Sequence, residues 1–444
     1  MGTRSALLAG LLLGITASAA NSAPATFNKD VLPILQKNCQ ECHRPGELAP
    51  MSLLTYTDAR PWAKAIKASV VTRKMPPWFA ETGHARLSND RTLSDAQINT
   101  LISWADNGAP EGDAKHKPAP LAFQDGWNIQ PDMIVEMPKA FHVAATGTIN
   151  YQNFLVKANF PEDTWVVAAE MRAGNAKVVH HGRVLVRPPT SNFMKDAIPG
   201  EPYETSSGDM KEWTEIIGKY NPGLGAQRFD VENSAKLVPK GSDLVFNIHY
   251  TAIGTATTDK TRVGLVFAKN PPQKRYYMSP GTPVALNMVI PPGDSNAEVV
   301  SEVTVGVDDA KLVYIQPHLH LRGKDYELRL IYPTGESEVV FKGKWNFDWQ
   351  LGYQLEKPIV MPRGTRVLTI AHYDNSPNNP FNPDPTKQVR WGDQNWDEMQ
   401  SGFLGMVFNV NTDVSKVFRP SGPSLLPPGN FGPTLASVAS LGSK

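Results

Sequence analysis

Apolar residues recur along this chain with two different periods, and the change falls near residue 120. Before it the period is helical. Val31, Ile34 and Leu35 predict a short helix that ends just ahead of Cys39. The run DARPWAKAIKASVVTR predicts a second helix with Pro61 in its first turn. LSDAQINTLISWADNGAP predicts a third: Ser94 caps, Gln97 stands three residues on as in a capping box, and Gly108 terminates. Ile98, Leu101, Ile102 and Ala105 then make one apolar stripe. After residue 121 short β-branched runs alternate with Gly, Pro, Asn and Asp turns, as in KVVHHGRVLV, SDLVFNIHYTA, KLVYIQPHLHLRG and RVLTIAHYDN. That pattern predicts β-sandwiches, not alternating strands and helices. The stretch between, APEGDAKHKPAPL, is rich in proline, charge and small residues and reads as an interdomain linker on which the helical part can swing.

Composition narrows the partners and the compartment. With 44 basic against 43 acidic residues in 444, the net charge of +1 gives no reason to expect nucleic acid or an anionic membrane surface as a partner. The chain opens MGTRSALLAGLLLGITASAANSA: Arg4, an apolar run from Ala6 to Ile15, then an A-x-A pattern at Ala17, Ser18 and Ala19. Residues 1–20 therefore read as a secretory signal peptide, and the mature chain is expected in the periplasm or secreted. No later apolar run is long enough to span a bilayer, so no stable membrane insertion is expected. There are only two cysteines, so the exported body is not built on disulfides.

Those two cysteines stand in NCQECHRPG. Cys39-x-x-Cys42 fits a redox disulfide, half of a zinc site or covalent haem attachment, but a zinc ribbon needs a second ligand pair and a redox motif needs a βαβ unit. With His43 directly after, the reading is haem c, its vinyl groups bonded by Cys39 and Cys42 and its iron by His43. A haem flanked by three short helices resembles a class I cytochrome c domain, here over residues 24–112 with a linker at 113–121. Such domains take a sixth iron ligand from a loop before the last helix, which points to Met75 in RKMPPWFAE, with Met51 and His84 as competitors.

Seven of the ten histidines lie in the β-rich body, and His142 apart six are candidates: His180, His181, His249, His318, His320 and His372. His318 and His320 are two apart, so on an extended strand both rings leave one face. His180 and His181 point to opposite faces unless a bulge or strand end intervenes, which Gly182 would permit. His249 can complete a set of three imidazoles. Spacing alone suits zinc as well as copper. His372 is read as structural, and His84, His116 and His142 receive no role outside the competition at the haem.

The stretches VVHHGRVLV, VFNIHYTA, IQPHLHLRGKDY and WDEMQSGFLGM, in that order over most of residues 120–420, resemble the copper type II, ascorbate-dependent monooxygenase family, which includes the peptidylglycine and dopamine β-hydroxylating enzymes. The resemblance implies two all-β, eight-stranded, jelly-roll-like sandwiches, here over 122–272 and 273–420, with 421–444 left as a tail. It implies two copper ions: an electron-relay copper on His180, His181 and His249, and an oxygen-activating copper on His318, His320 and Met399. A thioether favours Cu(I) and disfavours zinc. The implied activity is hydroxylation of a C–H bond of a small organic substrate with O2. Ascorbate, the fused haem or a periplasmic electron donor would be the source of electrons. Two departures argue against peptide amidation: Gln316 stands where the peptidylglycine enzyme has an arginine, and Phe403 where it has a tyrosine. The rival expectation is a non-catalytic haem and copper electron-transfer or copper-binding protein.

Overall fold

The computed structural model describes residues 24–47, 49–123, 126–204, 215–279 and 282–420; the expected signal peptide and the tail lie outside them. The described chain is mostly β-sheet with a few short helices near its start. Leu32–Asn38 follows a π-helical turn at Phe27–Val31. The second predicted helix is broken into Tyr56–Ala59, a 3-10 turn at Arg60–Trp62 and Ala63–Val71, the break falling at Pro61, whose ring cannot donate to the ladder. The third, Asp95–Asp106, has the full capping box: Ser94 Oγ accepts from the Gln97 amide at 3.2 Å, and Gln97 Oε1 from the Ser94 amide at 2.9 Å. Phe27, Leu32, Leu35, Leu53, Leu101 and Trp104 give these helices a core of their own.

Beyond the helices, three large sheets make the body. A five-stranded sheet runs Pro202–Glu204, Gln152–Val156, Asp243–Tyr250, Val179–Arg187, Glu215–Tyr220. Another runs Ser337–Lys344, Gly323–Ile331, Arg366–Tyr373, Ala297–Val305, Phe418–Pro420. Between them a nine-stranded sheet backs both. It crosses from one half to the other where Ser234–Val238 pairs in parallel with Lys274–Met278. The strands therefore do not divide eight and eight. Tyr276, Met278, Val313 and Val407, from the second half, pack into the first core, so a shared ladder and shared apolar burial join the halves. No described helix is long and apolar enough to cross a membrane.

The helical part does not swing free. Residues 113–121 are mostly exposed, as a linker should be, yet the helices are docked on both halves of the body. Glu47 takes Arg44 at 2.9 Å and Arg172 at 2.6 Å, and Arg172 also takes Glu170 at 3.0 Å, in a largely buried network. Ala80 bridges Gly343 and Leu87 bridges Leu355, while Trp78 and Phe79 pack against the second core. Shielded charge pairs and backbone bridges at both ends oppose the swing that the linker's composition suggested.

Candidate functional site

Val179–Arg187 and Asp243–Tyr250 are antiparallel neighbours. Their register runs His249 opposite His181 and then Tyr250 opposite Val179, so His180 is the extra residue of a β-bulge. A bulge re-aims its residue, which is what two adjacent histidines need in order to face one ion. Their Nδ1 atoms are 3.0 Å apart, and one nitrogen from each of His180, His181 and His249 lies within 4.8 Å of the others. Nitrogens about 2.0–2.1 Å from a shared ion sit roughly 3 Å from one another, so the His180–His181 pair already has that spacing and His249 would have to move closer to join it. The buried Nδ1 of His249 has no hydrogen-bond partner. Gly182 follows the bulge, and its missing side chain leaves room for the Met171 methyl, which would stand 2.6 Å from a Cβ there.

Sequence reasoning missed Tyr151, which is marked by no local motif. Its hydroxyl lies 2.7 Å from His181 Nε2 and its ring stacks on His249 at 4.8 Å between centroids. With Nε2 engaged, His181 presents Nδ1 to the cluster. Burial pushes the Tyr151 phenol up to about 12, so it stays protonated. Burial also lowers His180, lowers His249 to about 4 and holds His181 well below its ordinary value, leaving neutral rings with lone pairs to offer.

His318 ends the strand Ala310–His318, and His320 lies just past it, with ring centroids 5.3 Å apart and planes at 89°. Gln350 Oε1 is 2.8 Å from His318 Nδ1, which leaves Nε2 to face a ligand, and the buried Nδ1 of His320 has no hydrogen-bond partner. Burial pushes His318 down to about 3 and His320 well down. Glu398, of the DEM motif, accepts from the backbone amides of His320 at 2.9 Å and Arg322 at 2.6 Å. It thereby ties the H-x-H loop to the segment that carries Met399. Met399 is buried at 6 % exposure, two residues before Ser401, which pairs with His318. Burial raises Glu398 to about 8 against the pull of those amides.

The two histidine groups meet across the halves of the body. The rings of His181 and His318 are 6.1 Å apart, and Phe347 packs on His180 at 4.9 Å. Gln316 has its amide engaged by Asn221 Oδ1 at 3.3 Å and the Gln350 carbonyl at 3.0 Å. The Lys219 amine sits 3.2 Å from the Phe403 ring centroid, buried and with no carboxylate partner among the described residues, and burial holds it well below the ordinary lysine range. His372 stands apart, 2.6 Å from Asp325 and 3.5 Å from Glu298 on the outer sheet, which suits its structural reading. His142 lies in the strand Phe141–Val143 and His116 in an exposed turn.

Cys39, Cys42 and His43 line a cavity of about 520 Å³. Leu35, Leu53, Ile66, Val70 and Leu101 make it apolar, and both Met51 and Met75 border it. His84 does not; its Nδ1 is 3.2 Å from the Val339 carbonyl, on the second half of the body. Burial pushes the Cys39 thiol up to about 12 and Cys42 to about 11, which disfavours the thiolates that a redox pair or zinc would use. A large apolar cavity walled by two free thiols, an imidazole and two thioethers fits a haem. Burial holds His43 below its usual value, in the neutral form that can ligate.

No protein-family model matches the chain, and no curated protein does. Among solved structures it is similar to the major capsid protein P2 from bacteriophage PM2, at 9% identity and a TM-score of 0.27 over 63% of this chain and 99% of that one. It is also similar to the N-glycanase PNGase F, at 10% identity and a TM-score of 0.25 over 63% and 97% of the two chains. A third likeness is to infectious bursal disease virus, Gx strain, at 9% identity and a TM-score of 0.18 over 65% and 75%. Scores this low carry no argument about what the chain does.

Proposed function

We propose that this protein is an exported copper-dependent monooxygenase that hydroxylates a C–H bond of a small organic substrate with O2. In this reading the helical part is an all-α cytochrome c domain that supplies electrons, and the body is two jelly-roll-like copper sandwiches. The observation that carries it is the convergence of five neutral imidazoles, three buried and two half-buried, from two halves of the body, in two sets, the second tied through Glu398 to the segment bearing Met399. Copper in those sets would supply one-electron redox chemistry and oxygen activation, and haem c on Cys39, Cys42 and His43 would deliver electrons singly.

The chain's own residues have definable tasks. Tyr151 and Gln350 each engage one ring nitrogen, so that His181 turns Nδ1 and His318 turns Nε2 inward. Glu398 fixes the loop of His320. Burial of His318, His320 and Met399 shields from water the place where O2 would react. The buried Lys219 amine, held well below the ordinary lysine range by burial, lies on Phe403, whose ring is 6.3 Å from that of His318.

Haem and metal analysis of the purified holoprotein, followed by oxygen uptake with ascorbate, labelled dioxygen and a panel of small substrates, tests the proposal. One haem, two coppers and label in a hydroxylated product are expected. Haem and copper without substrate-dependent uptake would favour the non-catalytic electron-transfer reading. Zinc in their place would overturn both.

A further inference from the structure

The cavity beside Cys39 and the first histidine set are not separate places. The far wall of the cavity includes His180, Pro222, Asp348 and Trp349, so a residue of the metal cluster is also a wall of the haem-sized space. One short loop makes the junction. Phe347 packs on His180 at 4.9 Å, Trp349 lines the cavity, and Gln350 reaches His318 at 2.8 Å. Four consecutive residues thus touch all three candidate centres.

The junction is also held from outside. Arg91 Nη1 donates to the Gly223 carbonyl at 2.8 Å, and Gly223 packs so tightly on Trp349 that a Cβ would come within 2.9 Å of its ring. The Arg44, Glu47, Arg172 and Glu170 network clamps the helical part to the strand Thr164–Arg172.

Resting on the function proposed above, we propose that His180, backed by Phe347 and Trp349, is the point at which electrons leave the haem cavity, and that the helical part delivers them while docked. With both groups bound, each transfer would take one electron from ferrous haem to a cupric ion that His180, His181 and His249 would hold. No bond forms or breaks and no proton moves. Because His180 itself lines the cavity, delivery needs no excursion of the helical part.

The test uses full-length holoprotein with haem and copper contents measured first. In the wild type, ferric haem should broaden and relax the Cu(II) electron-spin resonance of the His180 set. The signal should sharpen in protein lacking haem through Cys39→Ala and Cys42→Ala. Anaerobic stopped-flow mixing of dithionite-reduced haem protein with Cu(II) should then show haem oxidation at a rate independent of protein concentration once copper is bound. Trp349→Leu, which keeps bulk and loses the ring, should slow that phase. Glu47→Gln, which loosens the clamp, should add a slower phase. Protein without haem or copper would overturn the function itself. Protein holding both, but with an unbroadened copper signal or with haem oxidation proportional to concentration, would overturn only this route. If Trp349→Leu fails to fold, the spin measurement on the wild type decides alone.

Discussion

His249 and His318 are held by burial at about 4 and about 3, against roughly 6.5 for the same groups in an unfolded chain. The sign of the consequence follows from linkage. Between the two values the unfolded chain binds protons that the folded one refuses, so stability rises with pH and is lost on acidification. Metal-free protein should lose about 1.4 kcal/mol per pH unit for each such histidine over that window. Urea unfolding at about pH 7 and about pH 5 checks this: the midpoint should fall at the lower pH, and fall less in His249→Gln; equal midpoints would contradict burial of the neutral rings. The histidines themselves were legible because H-H and H-x-H are local patterns. Tyr151, Gln350 and Lys219 were not, since each acts on a partner 30 or more residues away and carries no signature of its own.

At the scale of elements, the helix from Asp95 could be read to the residue because a capping box is written in four consecutive positions. The bulge at His180 could be stated only as a condition, since it is a property of the pairing with the Asp243–Tyr250 strand. The same holds for the DEM motif. Sequence singled out Met399, whereas the structure shows that Glu398 is what binds the motif to the H-x-H loop. Glu398→Ala leaves the buried amides of His320 and Arg322 without an acceptor. Destabilisation of about 2–5 kcal/mol is expected. Metal analysis should show loss of the ion at His318 and His320 with retention at His180, His181 and His249. Full occupancy of both sets in a folded variant would mean that the loop holds its shape without the carboxylate.

For the whole molecule, the sequence pointed to independent units: a helical domain on a swinging linker and two sandwiches with separable metals. The structure joins them, because pairings between distant segments leave no periodic trace. The nine-stranded sheet runs through both halves, the helices are clamped by Glu47, and the rings of His181 and His318 come within 6.1 Å. His180→Ala and His318→Ala are therefore each expected to shift the metal spectrum of the neighbouring set while leaving its ion bound. The most direct test of the account is anomalous diffraction at the copper edge from crystals of copper-loaded protein. The account predicts two peaks, one among His180, His181 and His249 and the other among His318, His320 and Met399. A single peak shared by the two sets, or copper bound only at surface residues, would contradict it.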